Sequence, residues 1–179
     1  MVYTYSVVET INSHSSLNRD SALEIGPGGG ALLTALAPHF RAVTGLDNAA
    51  EMLSKTAPVV ADLNNVSLLE GDFTELPATQ RYDLIVAAMV VHHLPSPQNF
   101  FAQATSLLSS GGLLVIAELC SHDQDWVKSL CGDVWLGFDP EELQHWASQA
   151  GLVQTQQQFL AQRNGFRVQV SAFATEPSF

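Results

Sequence analysis

Residues 22–32 read ALEIGPGGGAL, and no other stretch constrains the fold as strongly. Ala22, Leu23 and Ile25 form a short apolar run of the kind buried in a parallel sheet. Gly26, Gly28, Gly29 and Gly30 follow, interrupted only by Pro27. Ala31, Leu32, Leu33, Ala35 and Leu36 then read as a helix that stops at Pro38. Strand, glycine turn and helix make the opening unit of a nucleotide-binding α/β sheet. Glycine there lets the backbone take positive φ and approach a ligand closely.

Two acids sharpen this reading. Asp47 ends the run Ala42-Val43-Thr44-Gly45-Leu46, which reads as a second strand. Its distance beyond the glycines, about twenty residues, suits a carboxylate that accepts both ribose hydroxyls of a nucleoside. Glu24 stands just before Gly26 and gives the pattern E-x-G-x-G-x-G. Dinucleotide sites seat a pyrophosphate on the helix N-terminus. An acid inside the turn repels phosphate and welcomes a cationic or amino-bearing ligand.

These residues resemble a family. ALEIGPGGG followed by GLDNAAEML is similar to the first two motifs of class I S-adenosylmethionine-dependent methyltransferases. LLEGDFTELP, YDLIVAAMVVHHLP and LLSSGGLLVIAEL extend the likeness in the same order, from about residue 21 to about residue 173. HHLP together with GDVWLGFDPEEL resembles, more narrowly, small bacterial methyltransferases often fused to repressor domains of the metal-responsive type. Those fusions carry an N-terminal DNA-binding domain, which is not expected from these residues. Pro27 departs from the common pattern, where Cys or Thr is frequent, and stiffens the loop.

The resemblance implies an α/β fold: a doubly wound, seven-stranded, mostly parallel sheet, Rossmann-like, with an antiparallel last strand. It implies S-adenosylmethionine as cofactor and S-adenosylhomocysteine as product. Gly26, Gly28 and Gly30 would allow close backbone approach. Glu24 would order the turn and favour the ligand's amino end, and Asp47 would hold the ribose. Asn48 and Met52 belong to the same cofactor set. Asp72 would accept the adenine amino group while Phe73 packs on the ring; a solvated turn acid beside a core Phe is the other reading. Ala88, with Ala87 and Met89, would line the methionine half.

Length and charge limit the partners. With 179 residues the chain is expected to form one domain, residues 1–179, with one sizeable core. It has no apolar run long enough to span a bilayer, and residues 1–20 lack the pattern of a secretory signal. Cys120 and Cys131 have no CxxC neighbour, so free thiols and a cytoplasmic location are expected. A net charge of −11 repels nucleic acid and anionic lipid. The seven Lys and Arg residues are scattered and form no basic patch. A small-molecule acceptor, with no nucleic-acid or membrane partner, is therefore expected.

Residues 2–18 read either as a short N-terminal lid helix or as a frayed tail. A cleft left open by so short a segment would make a homodimer a candidate assembly. Asn48 is expected to cap the second helix, with Glu51 completing a capping box, Met52 and Leu53 facing the core, and Pro58 ending it. Residues 66–69 read as the third strand and 82–88 as a central fourth. Ser96-Pro97 opens a helix that Gly111-Gly112 should close, and residues 113–119 follow as the fifth strand.

His92 and His93 are candidate catalytic residues. One of them could act as a general base over the methyl donor, since His titrates near neutral pH. The structural alternative stands because HHL is common in the superfamily whatever the substrate. Sequence neighbours rarely both face one ion, and no Cys or carboxylate sits nearby at ligand spacing, so no metal is expected.

Residues 121–138 form the least regular stretch. His122, Asp125, Trp126 and Trp135 are candidate acceptor contacts, because insertions after the fifth strand cover substrates in this fold. The alternative is a helix that packs its tryptophans into the core. Asp139-Pro140-Glu141-Glu142 opens the last helix, and two strands joined around Asn164-Gly165 form a closing hairpin. Two other functions fit parts of the pattern. One is a non-enzymatic S-adenosylmethionine-binding regulator. The other is a nicotinamide-dependent oxidoreductase, which Glu24 and the terminal hairpin oppose.

Overall fold

A computed structural model describes residues 2–124, 129, 131–163 and 165–175 of the chain. Its described elements, in order, are α1 (Val2–Ser13), β1 (Ser21–Ile25), α2 (Ala31–Leu36), β2 (Ala42–Asp47), α3 (Ala50–Val60), β3 (Val66–Glu70), β4 (Tyr82–Ala88), α4 (Pro97–Leu107), β5 (Leu108–Leu119), α5 (Pro140–Gln149), β6 (Leu152–Ala161) and β7 (Arg167–Thr175). Short 3-10 turns at Ala37–His39, Phe73–Glu75 and Val91–His93 link several of them.

The strands form one seven-stranded sheet in the order β3-β2-β1-β4-β5-β7-β6. β1 pairs in parallel with both β2 and β4, and β7 alone runs antiparallel to its neighbours β5 and β6. The fold is therefore the doubly wound, mostly parallel sheet that the sequence implies. Strand order reverses at β1/β4, so the loops leaving these two strands diverge and open a crevice at their carboxyl ends.

Both faces of the sheet are covered, which explains the near-continuous apolar runs of β4 and β5. On one face Val7 and Ile11 of α1 pack with Leu32, Leu33 and Leu36 of α2. On the other, Phe100, Phe101 and Leu107 of α4 pack with Leu143 and Trp146 of α5. Fully burying side chains of this size contributes about 1.5–3 kcal/mol each. Among the described residues no helix is long and apolar enough to cross a membrane.

Three local expectations need correction. α3 begins at Ala50 after Ala49, with no side-chain cap, so Asn48 is not its cap. The Ala49 N–H donates instead to Asp47 Oδ1 (2.9 Å), while Glu51 pairs with Lys55 (2.8 Å). The buried face of α3 is carried by Thr56 and Val60; Met52 and Leu53 are only half-buried, and Pro58 lies inside the last turn. Gly111 and Gly112 do not close α4, which ends at Leu107. They sit in the irregular start of β5, where the register to β4 shifts between Tyr82 and Leu84.

Two further boundary signals hold. Ser96 accepts a hydrogen bond from Asn99 N at the head of α4, with Pro97 in the first turn. Glu142 reaches back to the Asp139 N–H (3.0 Å) at the head of α5.

Candidate active site

The glycine turn folds as its sequence requires. Gly26 and Gly28 both take positive φ, +66° and +50°. A Cβ on Gly26 would stand 2.8 Å from Val90 Cγ2, so the position excludes a side chain on two grounds. The turn is pinned from across the sheet: Gly26 N donates to Leu46 O (2.8 Å), and the buried Thr56 hydroxyl donates to Gly28 O (2.6 Å). Gly30 has a different part. It precedes α2 at φ +77°, and a Cβ there would press on Thr56 and Val59 of α3. It lets two helices approach and lines neither cavity described next.

Two adjoining cavities open at the carboxyl ends of β1, β2 and β4. The smaller, about 190 Å³, is lined by Tyr3, Glu24, Gly26, Gly28, Ala88 and Met89 among others. Glu24 is 3% exposed, and its Oε2 has no hydrogen-bond partner. Burial raises its pKa to about 8, tempered by a backbone hydrogen bond with Leu33. An orphaned carboxyl oxygen in a cavity wall invites a donor, above all a cationic one. The Tyr3 phenol beside it is likewise raised, first by burial and then by Glu24 and Glu118.

The larger cavity, about 380 Å³, contains Asp47, Asn48, Met52, Asp72, Phe73 and His93 in its wall. Asp47 is half-buried at the end of β2 and already accepts the Ala49 N–H. Asp72 caps the 3-10 turn that follows, its Oδ1 accepting from Thr74 Oγ1 (2.7 Å) and Thr74 N (2.8 Å). These bonds, side chain first, lower its pKa. Phe73 is buried against Phe100, ring centroids 5.3 Å apart, and offers only part of its surface to the cavity. Met89 is the one described non-glycine residue at positive φ (+59°), a conformation that costs about 1–3 kcal/mol. It lines both cavities, with its N–H fixed on Ala117 O at 2.8 Å.

The two histidines part company in exposure but not in position. His92 is buried, and its Nδ1 lies 2.8 Å from Glu118, itself wholly buried at the end of β5. Burial opposes a charge on the His92 ring, but the Glu118 hydrogen bond and the Glu118 and Asp133 carboxylates prevail, and its pKa is raised. Burial pushes Glu118 upward as well. Two carboxylates, Glu118 and Asp133, face the single His92 ring and favour its charged form. His93 is half-exposed beside the larger cavity, its ring centroid 4.0 Å from that of His92.

Of the candidate acceptor contacts after β5, Trp135 and His122 lie among the described residues. Trp135 Nε1 donates to Leu94 O (2.9 Å), and its indole packs on Phe138 and Trp146 at 5.7 and 6.1 Å. It is a packing residue and lines none of the cavities described. His122 meets Phe166 edge-on at 4.7 Å and also stands apart from these cavities. Asp125 and Trp126 lie outside the described residues. Sequence reasoning did not single out Tyr3 or Leu94, and it held Asp133 only as one acid of the stretch after the fifth strand. A Tyr in a leading helix carries no local signal of such a position.

Comparison with known proteins agrees with this geometry. Residues 23–116 match the family described as a methyltransferase domain. A ubiquinone biosynthesis O-methyltransferase of Coxiella burnetii is 26% identical over 163 residues, spanning 79% of this chain and 67% of that protein. Among solved structures, the N-methyltransferase NodS of Bradyrhizobium japonicum WM9, in complex with S-adenosyl-L-homocysteine, superposes with a TM-score of 0.72 at 19% identity. That likeness covers 96% of this chain and 98% of NodS. Magnesium protoporphyrin IX methyltransferase from Synechocystis PCC 6803, with bound SAH, gives a TM-score of 0.75 at 17% identity, covering 95% and 81%. At such identities the superpositions speak for the fold alone.

Proposed function

The chain belongs to the methyltransferase domain family and takes S-adenosylmethionine as methyl donor; on that premise we propose how its residues serve the reaction and what it methylates. The observation that carries the proposal is the pair of joined cavities with an orphaned buried carboxyl, Glu24 Oε2, at one end and Asp47 at the other. A nucleoside linked to an amino acid needs both an ammonium acceptor and a diol acceptor, and the two acids answer those needs. Glu24 meets the ammonium, Gly26 and Gly28 admit the chain between the two ends, and Asp47 holds the ribose. Asp72 and the exposed edge of Phe73 flank the adenine, while Asn48 and Met52 close the ribose side. Ala88 and Met89 line the methionine half, and Tyr3 on α1 closes the smaller cavity.

When bound, the cofactor supplies a methyl group on a sulfonium that is already activated toward in-line attack. The protein's own work is then to position the acceptor and exclude water. His93 stands in the wall of the larger cavity and, without a metal ion on its ring, is the nearer candidate for receiving an acceptor's proton. His92, buried between Glu118 and Asp133, is suited to orienting. The acceptor is a small molecule, supported by a net charge of −11 that disfavours nucleic acid and anionic lipid. We place the enzyme in the cytoplasm, as one domain over residues 1–179, with a homodimer as the assembly to test by light scattering.

A thermal-shift comparison tests the reading. S-adenosylhomocysteine at a hundred times its dissociation constant should stabilise the native state by about 2.7 kcal/mol through mass action. NAD and NADP at the same concentration should leave the melting temperature unchanged. Stabilisation by the nicotinamide cofactors alone would overturn it.

A further inference from the structure

Adjacent histidines normally diverge, and the sequence offers them no nearby carboxylate. The fold supplies both things. The 3-10 turn Val91–His93 sets the two rings side by side, and a segment distant in sequence is strapped across them. Val134 N and Trp135 N both donate to His92 O, at 2.9 and 3.0 Å, and Trp135 Nε1 donates to Leu94 O. These bonds hold Asp133 over the histidines. Asp133 is buried, yet its Oδ1 has no hydrogen-bond partner. That atom stands 3.6 Å from His92 Nε2 and 3.6 Å from His93 Nδ1.

A separation of 3.6 Å is too long for a hydrogen bond. It is close to the edge of a coordination tetrahedron, about 3.4 Å for ligands standing roughly 2.0–2.2 Å from a zinc ion. The three ligand atoms lie within 4.8 Å of one another. Behind His92, the Glu118 carboxylate accepts from Nδ1, which fixes the tautomer and turns the Nε2 lone pair toward Asp133. The His92 lone pair and the Asp133 oxygen then face each other at 3.6 Å. His93 Nδ1 also lies 3.3 Å from Gly132 O, a long contact that an ion would replace.

We propose that His92 Nε2, His93 Nδ1 and Asp133 Oδ1 bind a divalent first-row cation of the Zn²⁺ class, with Glu118 as the carboxylate that orients His92. Two imidazoles and one carboxylate suit such an ion better than Mg²⁺ or Ca²⁺, which prefer all-oxygen shells. Three protein ligands leave a position open, and His93 carries that position to the wall of the larger cavity. The ion there would take an oxygen of the methyl acceptor, which makes the acceptor class an oxygen nucleophile. This last point rests on the methyltransferase reading; binding of the ion does not.

Tag-free full-length protein stripped with chelator and titrated with Co²⁺ tests the site. One equivalent should bind with the intense visible absorption of a four-coordinate ion, and Zn²⁺ should displace it. Asp133→Asn and the surface-accessible His93→Gln should each weaken Zn²⁺ binding by at least tenfold in calorimetry. Glu118→Gln should weaken it by about 10- to 100-fold. Acetohydroxamate, an oxygen-donor probe, should shift the Co²⁺ spectrum if the open position exists. Absence of the four-coordinate spectrum, Zn²⁺ affinity unchanged in both Asp133→Asn and His93→Gln, or a spectrum indifferent to acetohydroxamate would overturn the proposal. S-adenosylhomocysteine affinity measured on the same metal-free protein separates the two readings: its loss strikes the methyltransferase assignment, and its retention without metal binding strikes this one alone.

Discussion

At the scale of single residues, Glu24 carries the sharpest prediction. It sits one residue before the end of β1, 3% exposed, with one carboxyl oxygen unpartnered and a pKa raised by burial to about 8. In the unfolded chain it titrates near 4.5. Between those values the native state binds more protons than the unfolded state, so stability falls as pH rises across that window. The full loss is roughly 4–5 kcal/mol if the whole shift is expressed. Urea unfolding of the ligand-free protein at pH 5 and pH 8 should show the fall in wild type, and a much smaller one in Glu24→Gln. His92, also raised, pulls in the same direction, and the Gln variant isolates the Glu24 share. Identical pH profiles for the two proteins would contradict the account. Adding S-adenosylhomocysteine should reverse part of the fall, because a ligand ammonium beside Glu24 favours its charged form. An acid placed just before the glycines is visible in the sequence; that it is buried and half-satisfied is not, because burial depends on β2, β4 and α1 together.

At the scale of elements, local signals were legible and convergence was not. The Gly26–Gly30 turn, the β4 run, Ser96-Pro97 and Asp139-Pro140 each announce a boundary through chemistry contained within a few residues. α3 misled because two hydrogen-bond acceptors competed for one helix start: Asp47 took the Ala49 N–H, and Asn48 was left without a capping role. The segment after β5 left two readings open. Its aromatic residues fit a substrate grip and a core wedge equally well by composition, and only packing separates the two. Trp135 bonds Leu94 O and contacts Phe138 and Trp146. Trp135→Ala should therefore cost about 3 kcal/mol of stability, at the lower end of the range for aromatic truncation because the indole is only half-buried. It should also free the strap that positions Asp133. Chemical denaturation checks this, and a variant as stable as wild type would return Trp135 to the list of candidate acceptor contacts.

At the scale of the whole molecule, the doubly wound sheet explains why the candidate site lies where it does. Strand order reverses between β1 and β4, the loops after them part, and both cavities open in the gap. The seven-stranded architecture is implied by the resemblance of the ordered motifs to a family, whereas the residues by themselves read as single strand–turn–helix units. The terminal hairpin matches the antiparallel last strand that the resemblance implies; β7 pairs with β5 on one side and with the edge strand β6 on the other. The account's central claim is that this crevice holds S-adenosylmethionine between Glu24 and Asp47, and calorimetric titration of S-adenosylhomocysteine into wild type and Asp47→Ala tests it most directly. Wild type should bind in the micromolar range or tighter, about −8 kcal/mol. Asp47→Ala should fold normally and lose about 2–3 kcal/mol of that affinity, the worth of charge-assisted bonds to a diol. An unchanged dissociation constant in Asp47→Ala, or no binding in wild type, would contradict the account.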